Sequence, residues 1–109
     1  MNCNPDDILD LHSKIFSAGI TDGFYFGDWD QYLKFSDGLN EIGATKSREV
    51  IERLLAWLKP HYDEGGIEAV RRAIDSDRSR SGELTDEYYA TDEDVRQLLD
   101  DYVERELSE

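Results

Sequence analysis

The chain has 109 residues and 39% hydrophobic content, enough for one domain around a single modest core. Its formal charge of −14 has the wrong sign for a protein that binds naked nucleic acid or an anionic membrane. The N-terminus is too polar for a signal peptide and no apolar run is long enough to span a membrane, so we expect a cytoplasmic protein. Cys3 is the only cysteine, which excludes an internal disulfide, and a lone thiol near a terminus is usually incidental.

The negative charge lies at the two ends of the chain. Residues 1–37 hold seven acids and two bases, and residues 38–82 hold eight of each. Residues 83–109 hold eleven acids and two bases, a net charge of −9. Charge that serves solubility alone is more often interspersed with the opposite sign. This distribution therefore favours a functional role for the acidic ends. A solvated helix face is the alternative explanation for the same residues.

A first helix begins near the N-terminus. Asn4 can cap it, Pro5 suits its first position, and Gly19 is placed to end it. The apolar residues at helical spacing are Ile8, Leu11 and Ile15. Residues 20–27, rich in glycine and aromatic side chains, are predicted to form a connector.

Two short helical elements are predicted next. Asp28 with Gln31 three residues later indicates a helix start, and Leu39 and Ile42 suit a separate helical turn closed by Gly43. The first of these elements has a large apolar face, formed by Trp29, Tyr32, Leu33 and Phe35.

The clearest helix lies in the middle of the chain. Thr45 can cap it, and it should end near Lys59, before Pro60. Its apolar stripe comprises Val50, Ile51, Leu54, Leu55 and Leu58, which makes it the candidate central helix. Gly65 and Gly66 should break the chain before the next helix, which is marked by Ile67, Val70 and Ile74.

The last third is predicted to contain a loop and a final helix. Residues 76–83 have the composition of an exposed loop, and Leu84, Tyr88 and Tyr89 suit a short docking element. Thr91 with Asp94 resembles a capping arrangement, followed by the apolar residues Val95, Leu98, Leu99, Tyr102 and Val103. We therefore predict an all-α fold, a single compact acidic domain over residues 1–109, with five to six helices, some short, and ends that fray.

Catalytic and cofactor patterns are not found. His12 and His61 fall on different predicted elements without metal-ligand spacing, so we expect no enzyme activity and no cofactor. Acidic and hydroxyl side chains over Asp75–Asp86 mimic the spacing of a calcium-binding loop. Arg80 occupies the position that needs glycine there, so a polar loop is the preferred interpretation.

Several short motifs resemble a family of small bacterial proteins named for a DNA-mimic member. They are Ile20-Thr21-Asp22-Gly23-Phe24, Asp30-Gln31-Tyr32-Leu33, Ile42-Gly43-Ala44 before a long helix, and an ending with Tyr88-Tyr89 and Leu98-Leu99-Asp100-Asp101-Tyr102. The similarity covers roughly residues 15–105. The resemblance implies an all-helical fold and a surface that imitates DNA and occupies a DNA-binding protein.

The charge pattern identifies candidate partner-binding residues. Residues 92–109 carry a net charge of −6, which is one charge per ~4.5 Å along a helix, near the density of one DNA strand. A second acidic strip on the first helix would have to lie alongside to approach a duplex. The candidates are Asp92, Glu93, Asp94, Asp100, Asp101 and Glu104, with Asp6, Asp7 and Asp10 on the first helix.

Four functional classes remain open from the sequence. The favoured one is a protein-binding module whose acidic face engages a basic DNA- or RNA-binding protein. An immunity protein or antitoxin that blocks a basic toxin such as a nuclease is an alternative with the same charge requirement. A small enzyme would need a polar pocket around His12, His61 or the Asp75–Asp86 segment. A helical domain with no acidic-face function is the fourth, and a homodimer is compatible with each.

Overall fold

The computed structural model describes residues 4–26 and 29–107 as six α-helices, with no strand in those ranges. The helices are α1 (Pro5–Ala18), α2 (Gly23–Phe26), α3 (Trp29–Glu41), α4 (Thr45–Ser76), α5 (Arg78–Ala90) and α6 (Val95–Leu107). The predicted all-α class and the number of helices are confirmed. Cys3 and Asp28, the predicted cap of the second helix, lie outside the described residues.

Helix α1 begins and ends where the sequence predicts. The side chain of Asn4 accepts a hydrogen bond from the backbone N–H of Asp6, and Pro5 is the first helical residue. Gly19 ends the helix with φ +104°, a conformation that L side chains rarely adopt. Local capping chemistry therefore determines both ends of α1.

The predicted connector contains the single-turn helix α2. Two of its carbonyl oxygens, those of Phe24 and Tyr25, accept hydrogen bonds from the Arg71 guanidinium, at 2.9 Å and 3.4 Å. Gly23 allows close packing here, since a Cβ at this position would lie 2.6 Å from the Tyr32 hydroxyl oxygen. Arg71, which is distant in the sequence, and the absence of a side chain at Gly23 therefore stabilise a helical turn that the local sequence does not predict.

Helix α3 is one helix of 13 residues, so the prediction of two short elements was wrong. Buried residues continue across the predicted gap, from Phe35 to Gly38 and Leu39. Gly38 is tolerated inside the helix because the apolar face around it packs against α4.

Helix α4 is longer than predicted. Thr45 is its first helical residue rather than its cap, and the helix passes through Pro60 instead of ending at Lys59. Pro60 and Ala56 are both exposed, so the Ala56 carbonyl that loses its helical partner can bond to water. The predicted break is confirmed at Gly66, where φ of +72° kinks the helix.

The predicted loop over residues 76–83 was also wrong, because α5 begins at Arg78. Asp77 caps α5 by accepting a hydrogen bond from the Arg80 backbone N–H. Packing against α4 supports this polar segment, with the Arg80 guanidinium 5.1 Å from the Trp57 ring centroid. The residues with calcium-like spacing therefore lie on the end of α4, the Asp77 cap and α5, and the Asp75 carboxylate instead accepts from Tyr25 and Arg78.

The core is built where α1, α3, α4, α5 and α6 turn their apolar faces inward. A column of rings joins three elements: Tyr32 stacks on Phe24 with centroids 3.9 Å apart, and Trp29 stacks on Tyr62 at 4.7 Å. Tyr88 is buried and belongs to the core, whereas the adjacent Tyr89 is 39% exposed and belongs to the surface. In α6, Val95 and Leu99 are buried as predicted.

Candidate functional site

The helices that carry the two acidic ends of the chain, α1 and α6, pack against each other. Eight of the nine predicted partner-binding acids are exposed: Asp6, Asp7, Asp10, Asp92, Asp94, Asp100, Asp101 and Glu104. We call these eight residues the acidic face. The second acidic strip that the sequence requires beside the last helix is therefore carried by a helix in direct contact with it.

Like charges are close together within this face. Asp6 and Asp10 on α1, and Asp100 and Glu104 on α6, are separated by four residues and so lie on the same side of their helices. Such pairs destabilise an isolated helix by a few tenths of a kcal/mol. A cationic partner would relieve that repulsion.

A groove borders the acidic face at the C-terminal end of α3. Asp101 and Glu104 line it together with Glu41, and its volume is about 600 Å³. The Tyr102 hydroxyl donates to the Glu41 carboxylate at 3.5 Å and ties α6 to α3 there. Three acids and one base, Arg105, line the groove, which extends the negative surface from α6 to α3.

The charge density of α6 alone is lower than the sequence predicts. The helix begins at Val95, and it carries four acids and two arginines, a net charge of −2. Over roughly 20 Å of helix this is one charge per ~10 Å. Any likeness to DNA therefore depends on α1 and on the linker before α6 as well as on α6.

Glu93 has an intramolecular role. It is half-buried, and its carboxylate accepts hydrogen bonds from the backbone N–H groups of Ser47 at 2.6 Å and Lys46 at 3.3 Å. These are free N–H groups of the first turn of α4, where a negative charge also meets the positive end of the helix dipole. Glu93 thus performs the capping role predicted for Thr45.

Replacing Glu93 with alanine is expected to lower the free energy of unfolding by about 1 to 2 kcal/mol, since two N–H groups lose their acceptor. Glu93→Gln keeps one acceptor oxygen and should lose less. Urea denaturation measures both, and Glu68→Ala, at an exposed position on α4, is the control. A loss equal to that of the control would contradict the capping role.

Two aspartates shape the linker on either side of Glu93. Asp94 accepts a hydrogen bond from the Gln97 backbone N–H at 3.0 Å and so caps α6, whereas Thr91 ends α5. Asp92 has φ +53°, in the left-handed region that aspartate tolerates better than most residues. Both side chains remain exposed beside the capping carboxylate.

A polar pocket that the sequence does not reveal lies next to this linker. It has a volume of about 370 Å³, and its walls include His12, Phe16, Tyr89, Asp92 and Asp94. His12 Nδ1 lies 2.7 Å from the Tyr88 hydroxyl, which joins α1 to α5. Helical periodicity places Phe16 and Tyr89 only at the margins of the apolar faces of their helices. The sequence therefore does not predict that these two side chains line the same pocket.

Burial lowers the pKa of His12, and Arg96 acts in the same direction, while Asp94 raises it. Acidification below the ordinary value of 6.5 is therefore expected to destabilise the fold, because the unfolded chain takes up the proton first. The stability that the neutral His12 ring contributes is therefore lost as the pH falls from 6.5 toward the lower pKa that His12 has in the folded protein. Urea denaturation between pH 7 and 5.5 should show a steeper fall in the wild type than in His12→Asn, with His61→Asn behaving as the wild type.

The salt bridges found among the described residues lie on α4 and α5. Within residues 4–26 and 29–107 the four acids that pair with a base are Glu52, Asp63, Asp75 and Glu87. All four belong to α4 or α5, where most of the basic residues are. The fold thus pairs charge in its middle and leaves the α1 and α6 acids outside these pairs.

Neither a metal-ligand cluster nor a membrane span is found among the described residues. The described part of the chain contains no group of three or more His, Cys, Asp or Glu side chains that could hold a metal ion. None of its helices is long and apolar enough to cross a bilayer.

Comparison with known proteins gives one match. Searches of curated proteins and of solved structures found none. The model of a family described as DMP19-like protein matches residues 7–106, which includes all six helices apart from the first two residues of α1 and the last residue of α6. The chain therefore belongs to the DMP19-like protein family.

Proposed function

We propose that this protein is a non-enzymatic protein-binding module, a DNA mimic whose acidic face occupies the nucleic-acid-binding surface of a basic protein. The observation that carries the proposal is the packing of α1 against α6, which joins the two acidic ends of the chain on adjacent helices. A basic surface that binds phosphates would meet a comparable array of carboxylates there.

Two further observations support this function. Four acids of α4 and α5 form salt bridges with neighbouring bases, whereas those of the acidic face are outside the salt bridges of the described residues. The family to which the chain belongs is also the one that its motifs resemble and that is named for a DNA mimic. Charge and family membership thus favour the same class of partner.

The test is capture of partners on the immobilised full-length chain from a lysate of the native host at low salt. We expect a basic nucleic-acid-binding protein to be retained, to elute in a salt step, and to be displaced by duplex DNA, because all three depend on the same charges. Retention that duplex DNA does not reduce would contradict mimicry. A captured nuclease whose activity the protein blocks would instead support the immunity-protein alternative.

A further inference from the structure

The pocket beside the linker combines aromatic and acidic walls. Phe16 is 53% exposed and Tyr89 is 39% exposed, and their rings stack with centroids 4.7 Å apart. The exposed carboxylates of Asp92 and Asp94 line the same pocket. Exposed rings beside carboxylates are the surroundings that a desolvated organic cation prefers.

Glu93 also lines the pocket, and of these three carboxylate residues Asp92 and Asp94 are the exposed ones. Glu93 is bonded to the start of α4, and Asp94 uses one oxygen, Oδ1, to cap α6. The lowered pKa of His12 keeps its ring neutral at pH 7, so it does not repel a cation. Arg96 lines an adjoining cavity together with His12 and Phe16. It is the one positively charged residue among the described residues that line either cavity.

We infer that this pocket receives an arginine side chain of the protein partner, with the guanidinium held between the Phe16–Tyr89 rings and the Asp92 and Asp94 carboxylates. The inference rests on the proposed function, since arginine is abundant on surfaces that bind phosphate. The guanidinium fits better than an ammonium because it is planar, stacks on rings and donates hydrogen bonds in a fork to carboxylates.

This arrangement gives the acidic face a specific contact in addition to its general charge. Exposed acids mainly accelerate encounter with a basic partner and are screened by salt. A partly enclosed aromatic pocket resists screening and slows dissociation. The pocket would therefore fix the position of the partner on the face.

The test is an NMR titration of the ¹⁵N-labelled full-length chain with N-acetyl-arginine amide, compared with the uncharged N-acetyl-citrulline amide. We expect the arginine compound to bind with a dissociation constant on the order of millimolar and to shift the amide signals of His12, Thr91 and Asp92. Citrulline should leave them in place. Equal shifts with both compounds, or no shifts, would overturn the inference.

Variants with opposite expected effects sharpen the test. Asp94→Ser keeps a capping oxygen for α6 but removes the charge, and it should weaken arginine binding about tenfold. Arg96→Gln removes the opposing charge and should strengthen it. Asp77→Ser makes the same change at the cap of α5 and should have no effect. Weakening by Asp77→Ser as large as that by Asp94→Ser would contradict a localised pocket.

The aromatic wall is tested by Phe16→Ala, which should weaken arginine binding about threefold, with Leu33→Ala on α3 as the exposed apolar control. The inference and the proposed function can fail separately. A captured partner whose affinity is unchanged by Asp94→Ser and Phe16→Ala overturns the pocket and keeps the function. If the arginine compound binds but no captured partner is displaced by DNA, the proposed function is overturned and the pocket is kept.

Discussion

Replacing Phe24 with alanine is expected to lower the free energy of unfolding by about 3 to 5 kcal/mol. The side chain is fully buried, and its ring stacks between Tyr32, with centroids 3.9 Å apart, and Trp29, at 5.9 Å. Removing it leaves a cavity and breaks the ring column that joins α2 to α3 and α4. Urea denaturation followed by circular dichroism measures the loss.

A loss of this size is comparable with the whole stability of a small domain, about 5 to 15 kcal/mol, so the alanine variant can fail to fold. Phe24→Leu keeps most of the volume and should lose about 1.5 kcal/mol, which remains measurable. Leu33→Ala, at a 42% exposed position on α3, is the control. If Phe24→Leu is as stable as the wild type, and Phe24→Ala only as destabilised as the control, α2 is not part of the core.

Neutralising the acidic face is expected to slow association with the captured partner on the order of tenfold to a hundredfold. The variant changes six acids of α1 and α6 to their amides: Asp6, Asp7, Asp10, Asp100, Asp101 and Glu104. It leaves Asp92 and Asp94 at the pocket intact, so the change reports on long-range charge alone. Association rates at several salt concentrations measure the effect, which should shrink as salt rises.

The matched control changes six exposed acids elsewhere on the surface: Asp30, Asp37, Glu49, Glu64, Glu68 and Asp86. Both variants have a net charge of −8 instead of −14, so a difference between them comes from position and not from total charge. We expect the control to slow association far less. Equal slowing by both variants would show that the acids act through net charge, without a dedicated face.

The helix boundaries that local chemistry sets are predictable from the sequence. Asn4 with Pro5 starts α1, Gly19 ends it, and Gly66 breaks α4, because each depends on a residue's own backbone preference or on a cap within a few positions. The apolar stripes of α1 and α6 are predictable for the same reason, since helical periodicity selects one face.

The boundaries that were predicted wrongly are those that distant residues decide. Pro60 normally ends a helix, but the apolar face of α4 continues from Leu58 to half-buried Tyr62 and Ile67 and packs across it. The segment after Asp77 has the composition of a loop, yet contacts with Trp57 and the buried side chain of Leu84 hold it as a helix. Propensity is a weak effect, and tertiary packing exceeds it in both places.

The sequence by itself determined the all-helical class of the fold. For the candidate site, it determined the concentration of negative charge at the two ends and the exposure of most of the acids. These follow from composition and periodicity, which each short segment carries within it. The tertiary structure alone decided that α1 lies against α6, that Glu93 caps α4, and that Phe16, Tyr89, Asp92 and Asp94 enclose one pocket. Such contacts join segments more than 40 positions apart, such as Phe16 with Tyr89 and Ser47 with Glu93, and only the packing of the core brings these segments within reach of one another.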